Sequence, residues 1–293
     1  MGKSIVLGGV VVISLIVLAL GLVRRHDQNV QQSTWNTLSQ TKNYNRQCFN
    51  TELLAGLPDT ARRYFEFSIK PGSALYFVSE IHMQGEISLG TRDNPNYLPM
   101  RAEQILAPPF GLVWKLSAGK GLIRFSGSDG IDDNHSWTRF WLWGLLPVAR
   151  AGENENHRRS AFGRVVAESV FWAPAALLPQ NGVTWLELDK NTARASIVFG
   201  NTEQTVDITV ADNGMPTKVV IPRWSDANPQ KTFQLQPFGG YLSEFQEFSG
   251  YRLPTVVEGG NFIDTDDYFP FYKVRVVELN FIDSNNGDLN CKV

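Results

Sequence analysis

Apolar positions along the chain follow three different periods in turn. Ser4 to Val23 is twenty residues without a charge, rich in Val, Ile and Leu. At about 1.5 Å per residue it would reach about 30 Å, the hydrocarbon thickness of a bilayer. Residues 27–47 are then polar (Gln, Asn, Ser and Thr), with Trp35 and Leu38 among the few apolar positions, which predicts a partly helical spacer. Asn50 to Ile69 reads as two short helical pieces broken by Gly56 and Pro58, the second with Ala61, Tyr64, Phe65 and Ile69 on one side.

From Phe77 the period becomes two. Ile81, Met83 and Ile87 alternate with Glu80, His82, Gln84 and Glu86, as in a strand with one wet face. Residues 98–106, 111–117, 122–126 and 137–146 continue as strands between Pro, Gly and Asn clusters. Beyond the middle of the chain come 183–189, 193–199, 205–210, 218–222, 232–235, 242–248, 255–262 and 272–281. Gly200-Asn201 and Asp212-Asn213-Gly214 are turn chemistry for antiparallel neighbours. Strands never alternate with helices, so the sheet is antiparallel and the class is α+β. Eleven or twelve strands do not stay flat, and a half-barrel or open barrel is expected.

The concave side of such a sheet needs a filler. Ser160–Pro179 is the one long helical pattern in this region: Phe162, Val165, Val166, Ser169, Phe171 and Trp172 form an apolar stripe, and Pro174 ends the helix. Arg164 and Glu168 are four apart and can pair on its surface. A carboxylate one turn from Phe171 and Trp172 is the unusual feature.

Glu168-Ser169-Val170-Phe171-Trp172-Ala173-Pro174-Ala175-Ala176-Leu177-Leu178-Pro179 resembles the signature of a family of uncharacterised bacterial proteins. Leu57-Pro58 with Arg62-Arg63-Tyr64, Arg101-Ala102-Glu103-Gln104 leading to Pro108-Pro109-Phe110-Gly111-Leu112-Val113-Trp114, and Gly250-Tyr251-Arg252-Leu253-Pro254 fit the same family in order, over about residues 57–281. That resemblance brings no activity with it. By analogy of arrangement the fold is similar to the periplasmic lipoprotein-carrier half-barrels, whose hollow takes acyl chains.

Composition narrows the partners. Hydrophobic residues make up 43% and aromatics 12%, enough for a substantial core, and a formal net charge of −2 without a basic run argues against nucleic acid. Cys48 and Cys291 lie at opposite ends of the domain and either pair in an oxidising compartment or stay as thiols. Lys3 on one flank of the apolar run nearly balances Arg24 and Arg25 on the other, with a slight lean toward a non-cytoplasmic domain. Ala19-Leu20-Gly21 would tolerate signal cleavage, but the length of the run favours an uncleaved single-pass anchor.

Catalytic patterns are absent. Asp129, Asp132, Asp133 and His135 cluster in S-D-G-I-D-D-N-H, yet Asp-Asp-Asn between strands is turn chemistry and matches no calcium loop, so no metal site is expected. Glu168 with Glu103 could form a carboxylate pair, as in an acid–base enzyme. The plainer reading has Glu168 bound to Arg164, Arg101 or Arg223. The expected domains are an anchor at 1–26, a spacer at 27–47, a single β-rich domain at 48–283 and a frayed tail at 284–293. No cofactor is implied. The function expected is binding or carrying a lipid or other hydrophobic ligand near the bilayer, with the carboxylate enzyme and a scaffold subunit of an envelope complex as rivals. The candidate ligand-binding residues are Glu103, Trp114, Trp141, Trp143, Arg164, Glu168, Phe171 and Trp172.

Overall fold

The computed structural model describes residues 2–42, 47–283 and 291. Helix α1 runs unbroken over Gly2–Ser39, so the apolar run and the first half of the expected spacer are one helix. Its Val6–Leu22 part is exposed along its length, and it is the one helix among the described residues long and apolar enough to cross a membrane. Its second half is docked on the domain: Trp35 and Leu38 are buried against Val78, Ile105, Val113 and Trp137, and the Thr34 hydroxyl donates to Asp132 at 2.7 Å. Two large apolar side chains one turn apart give this mostly polar stretch an apolar seat on the domain. The expected fraying of 284–293 falls, apart from Cys291, outside the described residues.

A short 3-10 turn (Thr51–Leu54) and helix α2 (Asp59–Ser68) follow, as the Gly56 and Pro58 breaks predict. Six strands then run as a meander: β1 (Val78–Ser88), β2 (Tyr97–Ala107), β3 (Gly111–Lys120), β4 (Ile123–Ile131), β5 (Ser136–Leu142) and β6 (Leu146–Gly152). Helix α3 (Glu155–Trp172) crosses back. A second meander comprises β7 (Thr184–Asp189), β8 (Thr192–Phe199), β9 (Thr202–Val210), β10 (Pro216–Ser225), β11 (Gln234–Phe248), β12 (Tyr251–Asn261) and β13 (Phe269–Ile282). β13 pairs antiparallel with β1, which joins both meanders into one 13-stranded antiparallel sheet with β6 and β7 as its edges. Residues 232–235 and 242–248 are expected as separate strands; 234–235 and 242–248 belong to one continuous β11, and 232–233 precede it.

α3 packs on β10 and β9 and reaches β2–β6 and β12, so the sheet curls around it. The helix starts five residues earlier than its apolar pattern suggests, because Asn154 caps it by accepting from the His157 N–H at 3.0 Å. Its apolar positions are no simple stripe: Gly163, Ala167 and Val170 are buried as well, so the second half is enclosed nearly all round. Beyond Pro174 the chain continues as two 3-10 turns at Pro174–Leu177 and Pro179–Asn181. α2 braces α3 through the Tyr64 hydroxyl, which donates to the Val170 carbonyl at 2.6 Å, and burial raises the Tyr64 pKa well above its usual value. Cys48 and Cys291 form a disulfide that ties the start of the domain to the chain beyond β13.

Candidate functional site

The sheet's alternation decides which side chains meet α3. On β2, Leu98, Met100, Ala102, Gln104 and Leu106 point inward, while Ile105 and Ala107 face α1 on the convex side. Between the concave face and α3 lies a hollow of about 520 Å³. Trp114, Phe140, Phe171, Phe238, Leu242 and Phe271 give it apolar walls. A Cβ at Gly239 or Gly240 would run into the neighbouring backbone, so β10, β11 and β12 close up there without side chains filling the space.

Asp129, Arg164, Glu168, Arg223 and Tyr272 bring polar groups to this apolar lining. The Arg164 Nε donates to Glu168 Oε1 at 2.9 Å and its Nη1 to Asp129 Oδ2 at 3.2 Å, while its guanidinium carbon sits 5.4 Å from the Trp114 ring centroid. Gln104 Nε2 donates to Glu168 Oε2 at 2.5 Å. Burial disfavours the Arg164 cation, but Glu168 and Asp129 outweigh it and its pKa ends above the usual arginine value. Arg223 is in the opposite position. Its Nε donates to the Ser160 hydroxyl at 3.2 Å and its guanidinium lies over the Phe238 ring at 4.5 Å, but among the described residues no carboxylate lies within 4.0 Å of it. Burial, and then the like charge of Arg164, push its pKa down to about 10, which leaves it cationic at neutral pH. Burial also raises the Tyr272 pKa, and its hydroxyl bonds the Met83 sulfur at 2.8 Å.

Of the residues expected at a site, Trp114, Arg164, Glu168 and Phe171 line the hollow. Four do not. Glu103 is one position out of phase with Gln104 and sits on the convex face, half exposed and 3.8 Å from Lys115 Nζ. A shared cleft with Glu168 is therefore ruled out, and each carboxylate has its own cation. Trp141 also faces outward, where its Nε1 donates to Asp27 of α1 at 3.1 Å. Trp143 is exposed at the β5–β6 turn with φ of 53°. Trp172 is packed in the core against Phe171, ring centroids 4.7 Å apart, outside the hollow. The Asp-rich segment divides as turn chemistry demands: Asp132 accepts from the Asn134 and His135 N–H groups at 2.8 and 2.6 Å, while Asp129 sits on β4 facing Arg164.

The sequence pattern of a family of unknown function (DUF6544) matches residues 47–274. The chain belongs to that family. The DUF6544 region thus takes in α2, the hollow and twelve complete strands, and leaves α1 outside. No curated protein matches the chain. Among solved structures, it is similar to a domain named for outer membrane lipoprotein sorting from Vibrio parahaemolyticus, at 12% identity over 82% of this chain and 96% of that one, with a TM-score of 0.39. It is similar also to a LolA superfamily protein from Nitrosomonas europaea, at 10% identity over 76% and 92%, with a TM-score of 0.38. Likenesses of this size carry nothing about ligand or role.

Proposed function

We propose that this DUF6544 member holds an apolar molecule with an acidic head in the hollow beneath α3, beside a membrane that α1 crosses. The observation that carries the reading is the hollow itself, aromatic-walled and bordered by an arginine without a carboxylate partner. Its volume of about 520 Å³ lies within the about 300–1,000 Å³ typical of ligand pockets. Each methylene of a tail moved into such walls gains about 0.8 kcal/mol. A carboxylate or phosphate head would give Arg223 a charge-assisted, two-pronged partner. The Cys48–Cys291 disulfide supports a domain facing an oxidising, non-cytoplasmic compartment. Acid–base catalysis finds no support, because Asp129 and Glu168 both hold Arg164 and Glu103 lies across the sheet.

Photo-cross-linking tests the proposal. The full chain in nanodiscs is irradiated with a diazirine-bearing palmitate, and the modified peptides are mapped. Labels on the segments carrying Phe140, Phe171 and Phe238 are expected, and Ala167→Trp, which fills the hollow from α3, should remove them. Labels confined to α1, or unchanged by Ala167→Trp, would show that the hollow takes no tail.

A further inference from the structure

We infer that the hairpin tips at Leu122–Ile123 and Trp143–Leu146 sink into the bilayer interface where α1 leaves the membrane, so that the hollow opens toward lipid. This rests on α1 being a membrane span. The position of the tips is fixed by the helix. Arg24, the first charged residue after the apolar run, donates from Nη1 to the Gly144 carbonyl at 2.7 Å, and Gly144 packs so closely on that guanidinium that a Cβ there would collide with it. Three residues on, Asp27 pairs with Arg150 at 2.6 Å and accepts from Trp141. Ten residues on, Thr34 meets Asp132. α1 therefore crosses the convex face over β4, β3 and β2, from the β5–β6 turn at Gly144 to the β4–β5 turn at Asp132. Ten residues at about 1.5 Å put the Asp132 turn about 15 Å further along the helix, away from the bilayer, than Gly144.

At the near end the two tips are locked together: Trp143 Nε1 donates to the Leu122 carbonyl at 2.6 Å, and the Trp143 N–H to the Arg124 carbonyl at 2.8 Å. What they present is apolar. Leu122 is 89% exposed, and Ile123, Trp143, Leu145 and Leu146 are each about half exposed. Large apolar side chains at two consecutive tips would be costly in water and are at home in an interface, where tryptophan in particular is enriched. Within these two hairpins the charge has one sign. Lys120, Arg124 and Arg25 are exposed beside the tips, and neither 119–126 nor 142–151 contains an Asp or Glu. That matches an anionic headgroup layer. The same hairpins supply Ala118, Phe125, Val148 and Ala149 to the lining of the hollow, so a tail entering between them would pass from lipid to aromatic wall without crossing water.

The test uses the full chain, disulfide intact, in nanodiscs of phosphatidylcholine and phosphatidylglycerol. Single cysteines carrying a nitroxide are placed by Leu122→Cys, Leu145→Cys, Asp133→Cys and Val11→Cys, and depth is read from collision with oxygen against a nickel chelate. The labels at 122 and 145 should show an oxygen preference several-fold above that at 133, and below that at 11. If 122 and 145 match 133 while 11 reports the hydrocarbon core, the span stands and the inserted rim is refuted, leaving these tips for a protein partner. If 11 is itself water-exposed, the span fails and the rim falls with it.

Discussion

Replacing Arg164 with leucine removes the cation held between Glu168 and Asp129 beside the hollow. The side chains of Arg164, Glu168 and Asp129 are 17%, 13% and 26% exposed, so solvent screens the cluster only in part. A buried ion pair adds little to stability over an apolar substitute, but breaking one by removing a single partner costs about 3–5 kcal/mol, because a charge is left buried. Asp129 is the more exposed carboxylate and Arg223 lies near enough to attract it, which places Arg164→Leu toward the lower end, about 3 kcal/mol. In a domain of this size each kcal/mol moves Tm by about 2–4 °C, so a fall of roughly 6–12 °C is expected. Adding Glu168→Leu removes the worst-placed orphan and should recover stability, with a coupling in the double-mutant cycle of about 2 kcal/mol. Near-UV circular dichroism of the full chain in detergent at fixed ionic strength follows all four proteins. A loss below about 1 kcal/mol for Arg164→Leu, or a cycle without coupling, would refute the view that this cluster is a closed pair network pinning α3 to β2 and β4.

Arg223→Gln should erase the preference for palmitate or hexadecyl phosphate over hexadecanol in displacing the photoactivatable palmitate, leaving hexadecanol unchanged; equal displacement by all three in the unmodified protein would remove Arg223 from head recognition. Reducing the Cys48–Cys291 disulfide, which closes a loop of 243 residues, should cost up to about 5 kcal/mol in the chain-entropy picture, read as a large drop in Tm with dithiothreitol that Cys48→Ser/Cys291→Ser reproduces. Burial holds the His157 pKa below the ordinary value of about 6.5, against the pull of Asp129 and Glu153 and with some help from Arg223 and Arg158. Between the two pKa values the unfolded chain binds the extra proton, so this contribution is complete above about pH 6.5 and is lost as pH falls through the folded value. Thermal unfolding between pH 7 and 5 should therefore be less pH-sensitive in His157→Gln, and identical slopes would contradict the assignment.

Much of the architecture was legible because it rests on period. Ile81 and Met83 alternate with polar neighbours in a way only a one-sided strand explains, and the absence of strand–helix alternation forced an antiparallel sheet around Ser160–Trp172. Site residues failed at the level of parity. Glu103 and Gln104 are adjacent in sequence and the acid looks the better candidate, yet strand geometry sends them to opposite faces, and the amide is the one that meets Glu168. Phe140 and Trp141 are separated the same way, with a register shift between them in the pairing with β6, so aromatic density did not say which ring faces inward. Tyr272 and Arg223 come from the second meander, 104 and 55 residues beyond Glu168, and no local spacing links them to α3 before the sheet closes through β1 and β13.

The polar stretch after the apolar run holds the deeper lesson. Asp27 opens the stretch expected as a polar spacer, but its side chain is 7% exposed and bonded to Arg150, with Arg139 at 3.4 Å and Trp141 donating to it. Thr34, Trp35 and Leu38 continue the contact at i, i+7, i+8 and i+11, a helical face that two apolar residues alone could not reveal. A flexible spacer would leave the domain free to tumble above the bilayer. A helix held at Arg24, Asp27 and Thr34 is instead fixed relative to the sheet, and under the proposed span it would turn the end carrying Leu122 and Trp143 toward lipid. Asp27→Ala removes the central clamp, so it should raise amide exchange over residues 27–39 while the exchange of β8–β10 stays unchanged. Equal protection of 27–39 in both proteins would mean that the apolar seat of Trp35 and Leu38 holds the helix without the clamp.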